Sequence, residues 1–301
     1  MMEIRYKEII TEEIRRFVAE DRPTVTSAED GDDAPAGLWQ EPLVGFADVK
    51  SPYIRELRRI VHPAHQMPED VMADARIVIV YFVPFNKWVA KTNRGFGKEL
   101  ASPQWAECYE LTNSMFTMLN DHITEVIRSM GYEAQVASEA GIFYRDEVMS
   151  HWSVRHLAYA AGLGTFGLNN MLITEKGCSG RYSTIVTNMA LEPDEPKTEE
   201  ACLYKRNGSC RACMMRCPTG AISEEGFDRH KCYSQCLKNA EVYTQFGSSY
   251  TSGQEVGKYD GFAAGAPGDD DAAVNDYNAE NVGSEVCGKC VVGLPCTYRT
   301  P

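Results

Sequence analysis

CRACMMRCPTGAI, residues 210–222, is the stretch from which the organisation of this chain is read. Cys210, Cys213 and Cys217 stand in a C-x2-C-x3-C-P pattern closed by Pro218, with Cys202 upstream. A run of this kind brings sulfurs to neighbouring corners of one iron-sulfur cluster and sends its last cysteine to a second cluster. Cys232, Cys287, Cys290 and Cys296 lie downstream. Crossing the ligands then gives four to each cluster: Cys202, Cys210, Cys213 and Cys296 to the first, and Cys217, Cys232, Cys287 and Cys290 to the second. Four-cysteine zinc sites are the alternative, and the trailing Pro-Thr-Gly-Ala-Ile, which zinc ribbons lack, favours clusters. Cys108 reads as a small core residue and Cys236 as a substitute ligand; Cys178 also lies outside the two sets.

The rest of the composition fits a redox protein. The chain has 301 residues, 44% of them hydrophobic, enough for one large or two ordinary domains. Eleven cysteines, an odd number, suit metal ligation in a reducing compartment better than complete disulfide pairing. The charged N-terminus has no apolar signal core and no later run is long enough to span a bilayer, so a cytoplasmic location without membrane contact is expected. A net charge of −13 argues against broad contact with nucleic acid. The expected partners are a small-molecule substrate and another redox protein, a ferredoxin- or flavodoxin-like electron donor.

Upstream of the cysteines, helical and strand patterns alternate. Apolar residues at helical spacing predict a helix over 3–20, and ARIVIVYFV (75–83) is a buried strand stopped by Pro84. A long helix over 104–130 ends at Gly131. Strands follow at 132–138, 171–174 and 182–189, with a helix at 152–162. This predicts an α+β protein: an α/β layer domain over 1–195, then a cysteine-rich domain over 196–301. The stretch at about 247–286, rich in Gly, Ser and Asp with Lys258 its lone basic residue, reads as an acidic surface insertion. An acidic docking surface for an electron donor is the alternative.

Gly162-Leu163-Gly164-Thr165-Phe166-Gly167 matches the dinucleotide fingerprint G-x-G-x-x-G letter for letter. That fingerprint must follow a strand and open a helix; here it follows a helix, so the nucleotide reading fails. Glycines at these positions still let backbone approach a flat ligand closely.

The segment RHLAYAAGLGTFGLNNMLITEKG (155–177), joined to the crossed cysteine motif and FDRHKC, resembles the catalytic core of epoxyqueuosine reductases and, more distantly, of corrinoid reductive dehalogenases. The resemblance implies a nitroreductase-like α/β sandwich domain, a bacterial two-cluster ferredoxin-like domain, two 4Fe-4S clusters, and cobalamin reduced by the nearer cluster. In that frame Gly162, Gly164, Thr165 and Gly167 line the corrin. Asn169 and Asn170 offer amides to its rim or cap a turn, and Arg181 and Ser183 bind its phosphate or form a surface contact. His151 and His156 hydrogen-bond the corrin or are structural. Asp146 is the nearest match to the family's proton donor, with an exposed charged turn as the alternative.

The chain departs from the pattern in three places: the segment DEVMSHWSV between Asp146 and the glycine loop does not align cleanly with the family, and the two others are at the C-terminus. It ends five residues after Cys296, without the extension that holds tRNA, and it closes on Cys290-x5-Cys296 with Pro295 before the cysteine. The expected function is a low-potential reductive elimination or cleavage of a small substrate. A non-catalytic electron carrier or corrinoid-delivery protein is the alternative, and epoxyqueuosine reduction in tRNA ranks below both.

Overall fold

An unbroken apolar strand can sit only between two apolar layers, and IVIVYFVP does so. In a computed structural model, which describes residues 2–29, 36–137, 143–144, 147–248 and 283–301, all eight residues of this strand are buried. The elements run α1 (Met2–Glu20), β1 (Leu43–Asp48), α2 (Pro52–Arg55), α3 (Leu57–Ile60), α4 (Pro68–Val71), β2 (Ile77–Pro84), α5 (Lys87–Gly95) and α6 (Pro103–Ser129). They continue with β3 (Ala134–Gln135), β4 (Phe143–Tyr144), β5 (Met149–Ser150), α7 (Val154–Ala160), β6 (Gly164–Phe166), β7 (Leu172–Thr174) and β8 (Gly180–Thr187). The cysteine-rich part adds α8 (Leu203–Asn207), α9 (Ala212–Arg216) and α10 (Arg229–Val242).

The main sheet has the order β1-β2-β8-β3 with every pairing antiparallel. Side chains alternate across a strand, so β2 divides two cores. Ile77, Ile79, Tyr81 and Val83 pack with Met115, Leu119 and Ile123 of α6 and with Ile10 and Ile14 of α1. Val78, Val80 and Phe82 pack with Leu157, Ala158 and Ala161 at α7. The result is a helix-sheet-helix layering. Ser102 caps α6 by accepting the Trp105 N–H at 3.2 Å, and Gly131 at φ +86° ends the α6 segment as expected.

The sequence-based elements need three corrections. The strand expected at 132–138 is reduced to Ala134–Gln135 within the described residues, because only these two pair with β8. The helix expected at 152–162 is shorter, since Trp152 leaves the helix to donate its Nε1–H to Thr184 at 2.9 Å. β1 was not anticipated: LVGFAD carries a glycine, but Gly45 is where the strand touches α7, and a Cβ there would lie 2.4 Å from the Ala161 carbonyl.

The C-terminal segment returns to the α/β layers. Ala201, Cys202, Tyr243, Val286, Val291 and Val292 are all members of the α6-side core, so packing crosses the expected boundary near 195. Lys289 is buried, and its Nζ donates to the Asn93 and Phe96 carbonyls at 2.8 and 2.6 Å, satisfying the end of α5. Gly288, at φ +69°, lies against the Trp105 ring, where a Cβ would fall 2.2 Å from ring carbon.

Gly288→Ala is therefore expected to destabilise by about 3 kcal/mol or more through overpacking added to left-handed strain. Gly208→Ala, at φ +74° with no neighbour within 4 Å, should cost only about 1 kcal/mol. Thermal unfolding followed by circular dichroism checks the contrast, and equal losses would contradict it.

Candidate metal centre

Ten of the eleven cysteines gather where the returning segment meets α8, α9 and α10. Cys202, Cys210, Cys213 and Cys296 line one partly open cavity, together with Gly167, Leu168, Asn169 and Ile173 of the β6–β7 hairpin. Burial, then the thiols of Cys296, Cys202 and Cys210, push the Cys213 thiol up to about 12. The thiols of the second set also influence one another. Burial, then Cys287, Cys232, Cys217 and Cys213, raises Cys290, and burial first pushes Cys287 up to about 11. Cys213 is thus near both groups. Crowded thiols resist ionisation among themselves and become thiolates when metal cations replace their protons, so the donor set fits thiolate-bound metal at both positions.

Two further thiols stand beside these groups. Cys178, fully buried two residues before β8, has its Sγ 3.9 Å from that of Cys296. Cys236 follows Cys232 by one turn of α10; contact with Cys232 raises its pKa, and Cys287 also faces it. The spacing that singled out Cys232 applies to Cys236 as well, so both remain candidates. Cys108 is apart from the group, buried in α6 with its carbonyl accepting from the Thr112 hydroxyl.

The backbone of the returning segment is gripped from the α/β side. The Cys287 carbonyl accepts from Asn93 Nδ2 at 3.0 Å, the Cys290 carbonyl from Asn169 Nδ2 at 2.7 Å, and the Cys296 carbonyl from the Cys178 N–H at 3.0 Å. Asn93 was missed by sequence reasoning, because its partner lies 194 residues away. Asn169 was singled out, and its amide is occupied: Oδ1 accepts the Met171 N–H at 3.2 Å, an Asx turn.

The glycine loop is a helix stop followed by a hairpin. Leu163 N–H reaches the Ala158 carbonyl and Gly162 N–H the Tyr159 carbonyl, each at 3.0 Å, a Schellman ending with Gly162 at φ +71°. Residues of β6 then pair with β7, and a Cβ on Gly164 would lie 2.1 Å from the Ile173 carbonyl. Thr165 Oγ1 accepts the Ala201 N–H at 2.9 Å, tying the hairpin to the chain entering Cys202. Asn170, at φ +57°, closes the tight turn between the strands. The close approaches these glycines permit are taken up by the chain itself.

The other corrin candidates do not converge with the loop. Arg181 and Ser183 point to the α6 side of the sheet: Arg181 lies 3.8 Å from the Tyr109 ring centre and Ser183 hydrogen-bonds Asn120. His151 lies on the α7 side, stacked on His62 at 4.6 Å. Asp146 lies outside the described residues.

His151 belongs to a group that sequence reading saw only in part. His62, His65, His151 and His156 gather around Trp152 and Tyr53, and His-x2-His at 62 and 65 was the available signal. Ligand atoms of His62, Glu147 and His151 lie within 4.8 Å of one another. However, His62 Nδ1 accepts the Ala64 N–H at 3.1 Å, which leaves the proton on Nε2, 3.0 Å from Glu147. The pair is therefore an imidazole donating to a carboxylate. Burial holds His65 and His156 neutral, each down to about 4.

No protein-family model matches the chain. It is similar to the epoxyqueuosine reductase of Francisella cf. novicida, 39% identical over 84 residues that cover 27% of this chain and 22% of the relative. The enzyme of the same name from Aliivibrio fischeri is 29% identical over 151 residues, 46% of this chain and 36% of that one. The tetrachloroethene reductive dehalogenase of Desulfitobacterium hafniense is 33% identical over 93 residues, 30% of this chain and 16% of its own. The match thus spans well under half of each relative. Among solved structures, a selenomethionine-labelled epoxyqueuosine reductase overlaps 81% of this chain and 62% of its own at TM-score 0.49 and 18% identity.

Two outcomes follow from the geometry. Cys232→Ser and Cys236→Ser, measured separately for iron after anaerobic reconstitution, should differ, and only the variant lacking a true ligand should lose one cluster's iron. Folded pKa values of His65 and His156 below the unfolded 6.5 mean that the unfolded chain binds more protons in acid. Their contribution leaves stability unchanged above pH 6.5 and lowers it progressively from 6.5 toward 4, and His156→Gln should flatten that part of a denaturation-midpoint profile.

Proposed function

We propose that the protein is an iron-sulfur oxidoreductase that passes low-potential electrons through two 4Fe-4S clusters to a reductive elimination or cleavage. The observation carrying this reading is the cavity lined by Cys202, Cys210, Cys213 and Cys296, beside a second group of thiols that share Cys213 as a neighbour. Similarity to epoxyqueuosine reductases and to a reductive dehalogenase supports the same class of chemistry. In this reading the first cluster takes Cys202, Cys210, Cys213 and Cys296, and the second takes Cys217, Cys287, Cys290 and Cys232. The clusters supply one-electron steps. The protein fixes ligand positions through the carbonyls of Cys287, Cys290 and Cys296 and ties the hairpin to the cluster wall through Thr165 and Asn169.

Cobalamin is the proposed electron acceptor on the strength of the relatives alone; one of the solved dehalogenases is described as B12-dependent. The residues named for a corrin do not fit one ligand, because Arg181 and Ser183 lie across the sheet from His151, Gly164 and Gly167 are packed against their own hairpin, and Gly162 against Glu195. No step is assigned to it. Small-molecule reduction is the first reading and reduction of epoxyqueuosine in tRNA the second, the latter favoured by the relatives' names. A domain arrangement of nitroreductase-like and ferredoxin-like parts accompanies the proposal.

Iron, sulfide, zinc and cobalt analysis with EPR on anaerobically purified protein tests it. Iron and sulfide in equal amounts without zinc are expected, with a reduced-cluster signal after dithionite. Stoichiometric zinc without sulfide would sink the cluster reading, and absence of a base-off cobalamin signal on incubation with the cofactor would sink the corrin alone.

A further inference from the structure

A run of basic residues crosses the cysteine-rich segment. The chain carries a net −13, yet residues 201–223 contain Lys205, Arg206, Arg211 and Arg216 and no acidic residue. Lys205, Arg206 and Arg211 are exposed. Arg216 is held by neutral groups, donating to the Lys289 and Arg94 carbonyls at 3.2 and 3.4 Å, so its charge is fixed in place without being cancelled. Arg206 donates to an oxygen of the terminal Pro301 at 3.2 Å, a carboxylate that offsets part of its charge. Arg211 pairs with Glu224 and lies 5.2 Å from the Tyr204 ring centre. Arg94, also exposed, adjoins Arg216 and extends the patch.

Met215 lies in α9, four residues after Arg211 and directly before Arg216. It is 79% exposed, the most exposed large apolar side chain among the described residues. It sits in α9 between Cys213 and Cys217, one from each proposed cluster, and by chain geometry its Cα is within about 7 Å of each of theirs. A flexible, polarizable and exposed side chain on a segment rich in cations suits a short-lived protein contact. Transient redox encounters are small interfaces steered by complementary charge.

We propose that the face formed by α8 and α9 docks a negatively charged one-electron carrier protein through Met215 and the cations Lys205, Arg206, Arg211, Arg216 and Arg94. The inference rests on the cluster reading above. In each encounter the carrier loses one electron and a cluster gains one, with no bond made or broken. The acidic stretch at about 247–286 has the wrong sign for such a partner, so charge assigns docking to the basic face.

The test uses anaerobic, cluster-loaded full-length protein and, as probe, a photoreduced flavodoxin of strongly negative net charge. Cluster reduction is followed by stopped-flow absorbance at low ionic strength. Lys205→Glu/Arg211→Glu should slow reduction by the flavodoxin about tenfold, within the range by which charge steers association. In high salt, where screening is complete within a few ångströms, the difference should vanish. Iron content and the dithionite end point should match the unmodified protein, and Lys205→Gln, a milder change, should give a smaller loss in the same direction. Equal low-salt rates for loaded variant and loaded unmodified protein would overturn the docking face while leaving the clusters intact. Failure of the unmodified protein to hold iron would instead overturn the cluster reading, and the docking face with it. Charge-reversible binding of tRNA to this face, without salt-dependent flavodoxin reduction, would overturn the proposal in favour of nucleic acid.

Discussion

Three carbonyl oxygens govern the arrangement of this molecule. Those of Cys287, Cys290 and Cys296 each accept a hydrogen bond from the α/β layers, through Asn93, Asn169 and the Cys178 backbone. A buried carbonyl without a donor costs about 1–3 kcal/mol, so the returning segment is bound to one register. That register brings Cys296 into the cavity of Cys202, Cys210 and Cys213 and sets Lys289 under the end of α5. The thiols are therefore positioned by the sheet and helices as much as by their own turns. Metal sites depend on such outer contacts for ligand orientation, and here those contacts come from residues far apart in the chain.

The same grip explains what the glycine loop does. Its letters match a phosphate-binding fingerprint, yet each glycine answers a local demand: Gly162 ends a helix in the left-handed region, and Gly164 and Gly167 admit a neighbouring strand and the Asn169 amide. The resulting hairpin supplies one wall of the thiol cavity. Glycine spacing records where backbone must come close, without saying whether the neighbour is a ligand or the chain itself.

What could be read from sequence follows from the range of the interactions. Local signals carried far: the apolar run of β2, the cap and stop of α6, and the close spacing of Cys210 and Cys213 all work over a few residues, and each marks an element or a pair of neighbouring thiols. Sheet order, the pairing of β1, the grip of Asn93 and the burial of Lys289 arise between residues dozens to nearly two hundred positions apart. No spacing rule reports them. The histidine group shows the intermediate case, since His151 and His156 are visible as a local pair but their stacking partners His62 and Tyr53 come from a different segment.

The insertion beyond α10 begins and ends at one place. The Ser284 N–H reaches the Tyr243 carbonyl at 3.3 Å, and Gly283 is so close to that turn that a Cβ would lie 2.3 Å from the Ala240 carbonyl. Described residues on the two sides of positions 249–282 are thus in contact, Tyr243 and Ala240 with Gly283 and Ser284. For a flexible connection, bringing two points of a chain together costs entropy that grows only with the logarithm of the intervening length, about 0.6 kcal/mol for each doubling. The length of this stretch is thus nearly decoupled from the metal centre on either side of it, so residues can be gained or lost there while Cys236 and Cys287 keep their places.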